Sequence, residues 1–184
     1  MNRHICIYCA SSTRISDTYK KAASALGTLI AQSGMHIING AGATGLMQIC
    51  ADAVMANGGE ATGVIPQFMV DRGWNHTSMT RLIVTADIHQ RKQTMAKMSD
   101  GCIALPGGCG TMEELLEIIT WKQLGLYSKP IVILNTEGYY TPLVAMLEKA
   151  VKEQFMREEH STLWTVANTP EEAVKAIISE SENH

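Results

Sequence analysis

The run Pro106-Gly107-Gly108-Cys109-Gly110-Thr111-Met112-Glu113-Glu114 sets three glycines and a threonine after an apolar stretch and puts two carboxylates just beyond them. Glycine lets a backbone come close to a ligand, and the free amides and positive dipole end of a helix start attract an anion, so a phosphate is the natural guest. No Gly-Lys-Ser/Thr follows and the G-x-G-x-x-G spacing is absent. That points away from a triphosphate loop or a dinucleotide fingerprint and toward a mononucleotide or sugar phosphate. The same glycines would also serve a cramped strand-to-helix turn. Helical side chains lean toward the helix start, so Glu113 or Glu114 in a first turn can reach back to whatever the loop holds. Acidic residues such as Glu113 or Glu117 also complement the helix dipole without any ligand.

A second group is Asp87-Ile88-His89-Gln90-Arg91-Lys92. Ile88, Met95 and Met98 form a helical stripe, and Arg91 falls within it. An arginine on an apolar face needs a partner or must snorkel, and its planar fork can hold a carboxylate or a phosphate with two hydrogen bonds. His89, on the flank of the stripe, reads as a surface or packing residue. A second Gly-rich stretch, Asn39-Gly40-Ala41-Gly42-Ala43-Thr44-Gly45, also joins a strand to a helix and suits either ligand contact or close helix packing.

The elements that must position these residues alternate. Strands are expected at 5–9, 36–39, 61–65, 81–85, 101–105, 130–134 and 163–166, and helices at 17–33, 45–57, 87–99, 111–124, 140–154 and 170–179. Alternation of this kind predicts an α/β fold, a doubly wound, mostly parallel sheet with helices on both faces. Ser16 and Asp87 suit N-caps, Gly34 and Gly125 suit helix ends, and Pro170 suits a first helical position. The stretch 66–79, with Arg72, Trp74 and His76, reads as an irregular and functional loop. Ligands of such sheets sit beyond the strands' carboxyl ends, so the loops after Asn39, Ile65, Thr85 and Leu105 are where a site is expected.

Length and composition bound the rest. The 184 residues, 46% hydrophobic and 18% charged, suit one soluble domain over 1–184 with no membrane span. A net charge of −3 gives no overall attraction for nucleic acid or membrane surfaces, so neither is expected as a partner. The start of the chain lacks a signal-peptide pattern, and cytoplasmic residence is expected. Five cysteines without regular spacing suggest reduced, mostly buried thiols. Cys6 and Cys9 form a C-x-x-C inside an expected strand, where they face opposite ways, and no metal site is expected.

Taken together, the motifs resemble the "lonely guy" family of cytokinin riboside 5′-monophosphate phosphoribohydrolases, once labelled "possible lysine decarboxylase". Pro106 to Glu114 matches P-G-G-x-G-T-x-x-E, and Ile88 to Lys92 resembles M-H-x-R-K. Further matches are Thr120-Trp121-Lys122-Gln123-Leu124-Gly125, the N-x-x-G-Y-Y of Asn135 to Tyr140, and Gly45-Leu46-Met47. The resemblance implies a homodimeric Rossmann-like enzyme without a cofactor, which hydrolyses the N-glycosidic bond of AMP or an N6-modified AMP to free base and ribose 5-phosphate. It implies Arg91 and Glu114 as the catalytic pair. It also implies that Lys92, Gly108, Cys109, Gly110, Thr111, Met112, Glu113, Thr120 and Gly45 bind substrate. Ala41 and Ala43 replace a usual glycine and serine, and Gly73 stands where a glutamate is common. The chemistry fits a carboxylate that stabilises an oxocarbenium-like sugar, with Arg91 holding Glu114 ionised if the two meet. The competing classes are a nucleotide-binding or carrier protein on the same scaffold and, from the old label, a pyridoxal-phosphate decarboxylase.

Overall fold

The apolar runs become seven strands of one all-parallel sheet in the computed structural model, which describes residues 3–181. The strands are β1 (His4–Tyr8), β2 (His36–Asn39), β3 (Ala61–Pro66), β4 (Arg81–Thr85), β5 (Gly101–Ala104), β6 (Ile131–Leu134) and β7 (Thr165–Ala167). The helices are α1 (Asp17–Gln32), α2 (Gly45–Ala56), α3 (Gln67–Asp71), α4 (Ile88–Met98), α5 (Cys109–Gln123), α6 (Thr141–Lys152) and α7 (Pro170–Ser181).

Period-2 alternation divides the core into two layers. Ile5, Ile7, Ile103 and Val132 pack with α1, α2 and α7 on one face. Cys6, Tyr8, Cys102 and Ile133 pack with α4, α5 and α6 on the other. Cys6 and Cys9 belong to opposite layers, although β1 ends at Tyr8 and Cys9 lies just past the expected strand. The expected caps are largely in place. Asp87 Oδ1 accepts from the Gln90 amide at 2.7 Å, while Gly34 and Gly125 take left-handed φ of 68° and 73° just past α1 and α5. Ser16 is the N-cap of α1 by position, but its side chain makes no capping bond.

Three local expectations change. The stretch 66–79 is not wholly irregular, because α3 forms directly after Pro66 and Gln67 Nε2 donates to Asp71 Oδ1 at 2.8 Å across its single turn. β7 lies two residues later than expected, since Glu158–Thr162 winds into a 3-10 helix first. α5 begins at Cys109 rather than Thr111, which brings Gly110 and Thr111 into its opening turn and moves Glu113 and Glu114, expected in the first turn, beyond it.

The strand order is β4-β3-β2-β1-β5-β6-β7. The chain steps outward from β1 to β4 and then returns to lay β5 against the other side of β1. The loops leaving β1 and β5 run in opposite directions and leave a crevice between them, the topological switch point of an open parallel sheet. Among the described residues no helix is long and apolar enough to cross a membrane.

Candidate active site

A cleft of about 730 Å³ opens over the carboxyl ends of β1, β2, β3 and β5. Its floor is apolar, from Ile7, Cys9, Ile65 and Met47. One wall is the start of α5, where Gly108, Gly110, Thr111 and Glu114 line the space. Arg91 enters from α4, and Met69, Gly73 and Trp74 close the side formed by the stretch after β3.

The glycines of the α5 turn have different physical reasons. A Cβ on Gly107 would collide with the Thr111 hydroxyl, so this position is held small by internal packing. A Cβ on Gly108 or Gly110 would meet nothing within 4 Å and would project into open space. Nothing among the described residues excludes a side chain there, so both positions leave room for the close approach of a ligand. The first intrahelical bond runs from Met112 N to Gly108 O at 3.0 Å, so the preceding amides lack helical partners and remain available to an anion.

The second Gly-rich stretch is shaped mainly by packing. A Cβ on Gly40 would collide with the Arg91 guanidinium, whose Nη2 donates to Gly40 O at 3.3 Å. Gly45 has φ 68°, and its missing Cβ lets the chain pass beside Ser11 and Ala10 while Leu46 N donates to Ala10 O at 2.9 Å. Gly45 is buried behind the cleft wall and does not line the cleft. Asn39, itself buried, holds the loop by accepting from Ala41 N at 2.8 Å and donating to Met47 O at 3.1 Å. Ala41 adopts a left-handed φ of 56°, one of few non-glycine residues to do so here.

Arg91 and Glu114 meet in the cleft. Nη2 lies 3.9 Å from Oε1, and the two side chains are only 11% and 14% exposed. Burial pushes the Glu114 carboxyl up to about 7, and Glu113 and Glu117 add to the rise, while Arg91 and Lys92 pull in the other direction. Arg91 does favour the ionised carboxylate as expected, but desolvation outweighs it. Arg91 Nε is buried without a hydrogen-bond partner. Cys9 reaches the floor, but burial raises its thiol well above the ordinary range, so it is held protonated and is not a ready nucleophile.

The other expected substrate contacts lie elsewhere. Lys92 is buried between α4 and α5, bonded to Glu113 and, at 3.1 Å, to Glu117 Oε1. Burial alone would weaken its charge, but these two carboxylates more than restore it. Neither Lys92 nor Glu113 lines the cleft, and the exposed Cys109 and half-buried Met112 point past it. Thr120 is exposed farther along α5 and donates to Leu116 O at 2.8 Å.

Gly40, Gly42, Ala43 and Thr44 of the second Gly-rich stretch line the cleft, and Ala10, Ser11 and Ser12 do so without having been expected there. The hydroxyl-rich Ser11-Ser12 just after β1 was the available signal. Its meaning depends on β1 lying beside β5, which no local pattern reveals. The stretch after β3 is pinned to the Gly-rich loop by two antiparallel bonds, Ala43 N to Trp74 O at 3.0 Å and His76 N to Ala41 O at 2.8 Å. Asp52 on α2 anchors His76 at 2.8 Å. Trp74 thereby stands half exposed at the mouth of the cleft, with the Arg72 guanidinium 5.0 Å from its ring.

Comparison with known proteins fits this arrangement. Residues 47–177 match the family model described as "Possible lysine decarboxylase". A probable cytokinin riboside 5′-monophosphate phosphoribohydrolase of Oryza sativa subsp. japonica is 39% identical over 182 residues, 99% of this chain and 75% of the relative. A cytokinin riboside 5′-monophosphate phosphoribohydrolase of Arabidopsis thaliana is 42% identical over 175 residues, 95% of this chain and 82% of the relative. Among solved structures, the molybdenum cofactor carrier protein of Chlamydomonas reinhardtii superposes with a TM-score of 0.75 at 19% identity over the whole of both chains. The molybdenum cofactor binding protein of Rippkaea orientalis gives 0.74 at 22% identity, covering 97% of each chain. The two structural likenesses concern the fold. The family match spans most of the chain and the plant relatives nearly all of it, so the protein belongs to the possible lysine decarboxylase family, the one its motifs resemble.

Proposed function

We propose that the protein is a nucleoside 5′-monophosphate phosphoribohydrolase, which cleaves the N-glycosidic bond of AMP or an N6-modified AMP to free base and ribose 5-phosphate. One observation carries the reading. The anion-competent amides and the buried carboxylate belong to the same helix start, Gly108 to Glu114, and face one cleft. From Gly110 to Glu114 the helix rises about 6 Å, the span of a single sugar between its phosphate and its reacting carbon.

In this reading the 5′-phosphate sits on the first-turn amides of α5 and the ribose lies against Glu114. As the C1′–N bond breaks, its electron pair leaves with the base and positive charge grows on the sugar. The Glu114 carboxylate stabilises that charge and takes a proton from the water that attacks C1′. Arg91 orients Glu114 and offers its guanidinium to the substrate. Trp74 and Met69 supply an apolar wall on the base side. The family label carries a different chemistry, a lysine Schiff base with pyridoxal phosphate. No lysine among the described residues lines the cleft, and Lys92 is committed to Glu113 and Glu117.

Glu114 must be ionised to act, so kcat/KM is expected to rise with pH and level off above about 7, the value to which burial raises this carboxyl. Glu114→Gln should lose at least about a hundredfold in kcat, about 3 kcal/mol of transition-state stabilisation, while AMP affinity stays within a few-fold. Chromatographic detection of free base from AMP and isopentenyl-AMP tests both. Undiminished turnover by the variant would remove the assigned role, and binding without any base release by the wild type would favour a carrier.

The working form is a homodimer. Leu116 and Leu124, 38% and 63% exposed, share a face of α5 with Thr120, and Leu126 beyond it is 73% exposed. A partner packed there would cover these leucines and meet Thr120, which does not reach its own cleft.

A further inference from the structure

The N-x-x-G-Y-Y motif, Asn135 to Tyr140, lies outside the cleft and has no part in the chemistry described above. Its two tyrosines nevertheless end on the anion loop. Tyr139 Oη donates to Gly107 O at 2.6 Å, and Tyr140 Oη donates to Leu105 O at 2.7 Å. Between them, Ala10 N donates to Pro106 O at 3.2 Å, and Met112 N takes up Gly108 O. Four successive carbonyls, from Leu105 to Gly108, are thus occupied by the protein. An anion is repelled by carbonyl oxygens and attracted by amides, so a turn whose carbonyls are all engaged is prepared for negative charge.

The 3-10 turn Thr136–Gly138 that supplies the tyrosines is built to hold them. Asn135 Oδ1 accepts from Tyr140 N at 2.7 Å and its Nδ2 donates to Thr141 Oγ1 at 3.1 Å. Glu137 and Gly138 take left-handed φ of 55° and 69°, turning the chain sharply back toward α5. Tyr140 is 1% exposed. The Tyr139 ring stands edge-on to both Tyr140, 5.1 Å away, and Tyr19 of α1, 6.0 Å away.

Tyr139 holds the most vulnerable peptide. The unit joining Gly107 to Gly108 is flanked by glycine on both sides, so rotating it end over end meets little steric resistance. In a trans peptide the carbonyl and the following N–H point in opposite directions. Holding Gly107 O on the tyrosine side keeps the Gly108 amide turned the other way.

We propose that Tyr139 is a positioning residue for phosphate recognition, fixing the Gly107–Gly108 peptide so that the Gly108 amide faces the cleft, and that Tyr140 supports it by holding the start of the turn at Leu105 O. This rests on the reading of the α5 start as a phosphate cradle. Without the Tyr139 hydroxyl the peptide samples the flipped state, which turns a carbonyl toward the phosphate. The penalty falls on phosphate-bearing ligands and spares the base and ribose contacts.

The test compares AMP with adenosine by calorimetric binding to the otherwise wild-type protein, Tyr139→Phe and Tyr140→Phe, each carrying Glu114→Gln so that AMP is held without being cleaved. Tyr139→Phe keeps the ring and its edge contacts and loses only the hydroxyl. AMP affinity is expected to fall about tenfold in Tyr139→Phe, as for a lost hydrogen bond in a preorganised site, with adenosine affinity unchanged. In turnover, with Glu114 intact, the loss should fall in KM, with kcat within about twofold. Tyr140→Phe should act in the same direction, with some loss of thermal stability from its buried carbonyl partner. If the protein with both tyrosines prefers AMP to adenosine and Tyr139→Phe keeps that preference, or weakens both ligands equally, the positioning role is overturned. If the protein with both tyrosines does not itself distinguish the two, the phosphate cradle is wrong and the proposal goes with it.

Discussion

Glu114 concentrates the conflict between stability and function in one residue. Its folded carboxyl stands at about 7 against 4.5 for the free group, so folding favours the protonated form. That contribution is complete below pH 4.5, where both states are protonated, and is lost as pH rises through 7. Above pH 7 the protein bears the full cost of burying a carboxylate, up to about 3 kcal/mol from the size of the rise. Glu114→Gln is therefore expected to be more stable than wild type at pH 8 by as much as about 3 kcal/mol, with the gap closing toward pH 4.5. Denaturant unfolding at both pH values measures this. A variant equally or less stable at pH 8 would show that the carboxylate is better solvated than its 14% exposure indicates. Arg91 Nη2 donates to Gly40 O, while the 3.9 Å from the same nitrogen to Glu114 is too long for a hydrogen bond.

At the scale of elements, α4 and α5 each bring one of the two proposed catalytic groups, and Lys92 ties the helices together. Its bonds to Glu113 and Glu117 span the two helices one residue away from both Arg91 and Glu114. Lys92 also lowers the Glu114 pKa, whereas the two carboxylates it neutralises raise it. Lys92→Met removes the favourable charge and unmasks the unfavourable ones. The acidic limb of the kcat/KM profile should move to higher pH, and Lys92→Arg should move it less. An unmoved limb in Lys92→Met would mean that Lys92 acts on the helices alone. The motif positions were legible in sequence at this scale, and so were most of the elements. Arg91 stood out as a charge on an apolar stripe, and Glu114 as a first-turn acid beside a Gly-rich turn. The partition between Glu113 and Glu114 came from the motif resemblance and not from the residues' own chemistry, because adjacent residues on a helix are about 100° apart and only the placement of α4 decides which of them faces the cleft. Helix α3 was missed for a comparable reason, since its five residues are too few to display a period.

For the whole molecule, the crevice between the β1 and β5 loops and the exposed leucines of α5 set two different surfaces. In the proposed reading the cleft holds the chemistry and a dimer partner covers the leucines. Sedimentation velocity is expected to find a dimer for wild type and a monomer for the double substitution Leu124→Glu, Leu126→Glu. A wild-type monomer would remove the dimer and the part assigned to Thr120. Sequence by itself determined the α/β class, the alternation of elements, the anion-suited turn and its acidic neighbour, because each depends on the chemistry or period of residues close together in the chain. Only the tertiary structure decided that β1 lies beside β5, bringing Ser11 and Ser12 into the cleft. It likewise set Lys92 between two glutamates rather than in the site, and brought two tyrosines some thirty residues downstream onto the carbonyls of the turn. These are contacts between segments distant in sequence, and strand order and helix placement, which no local pattern encodes, create them.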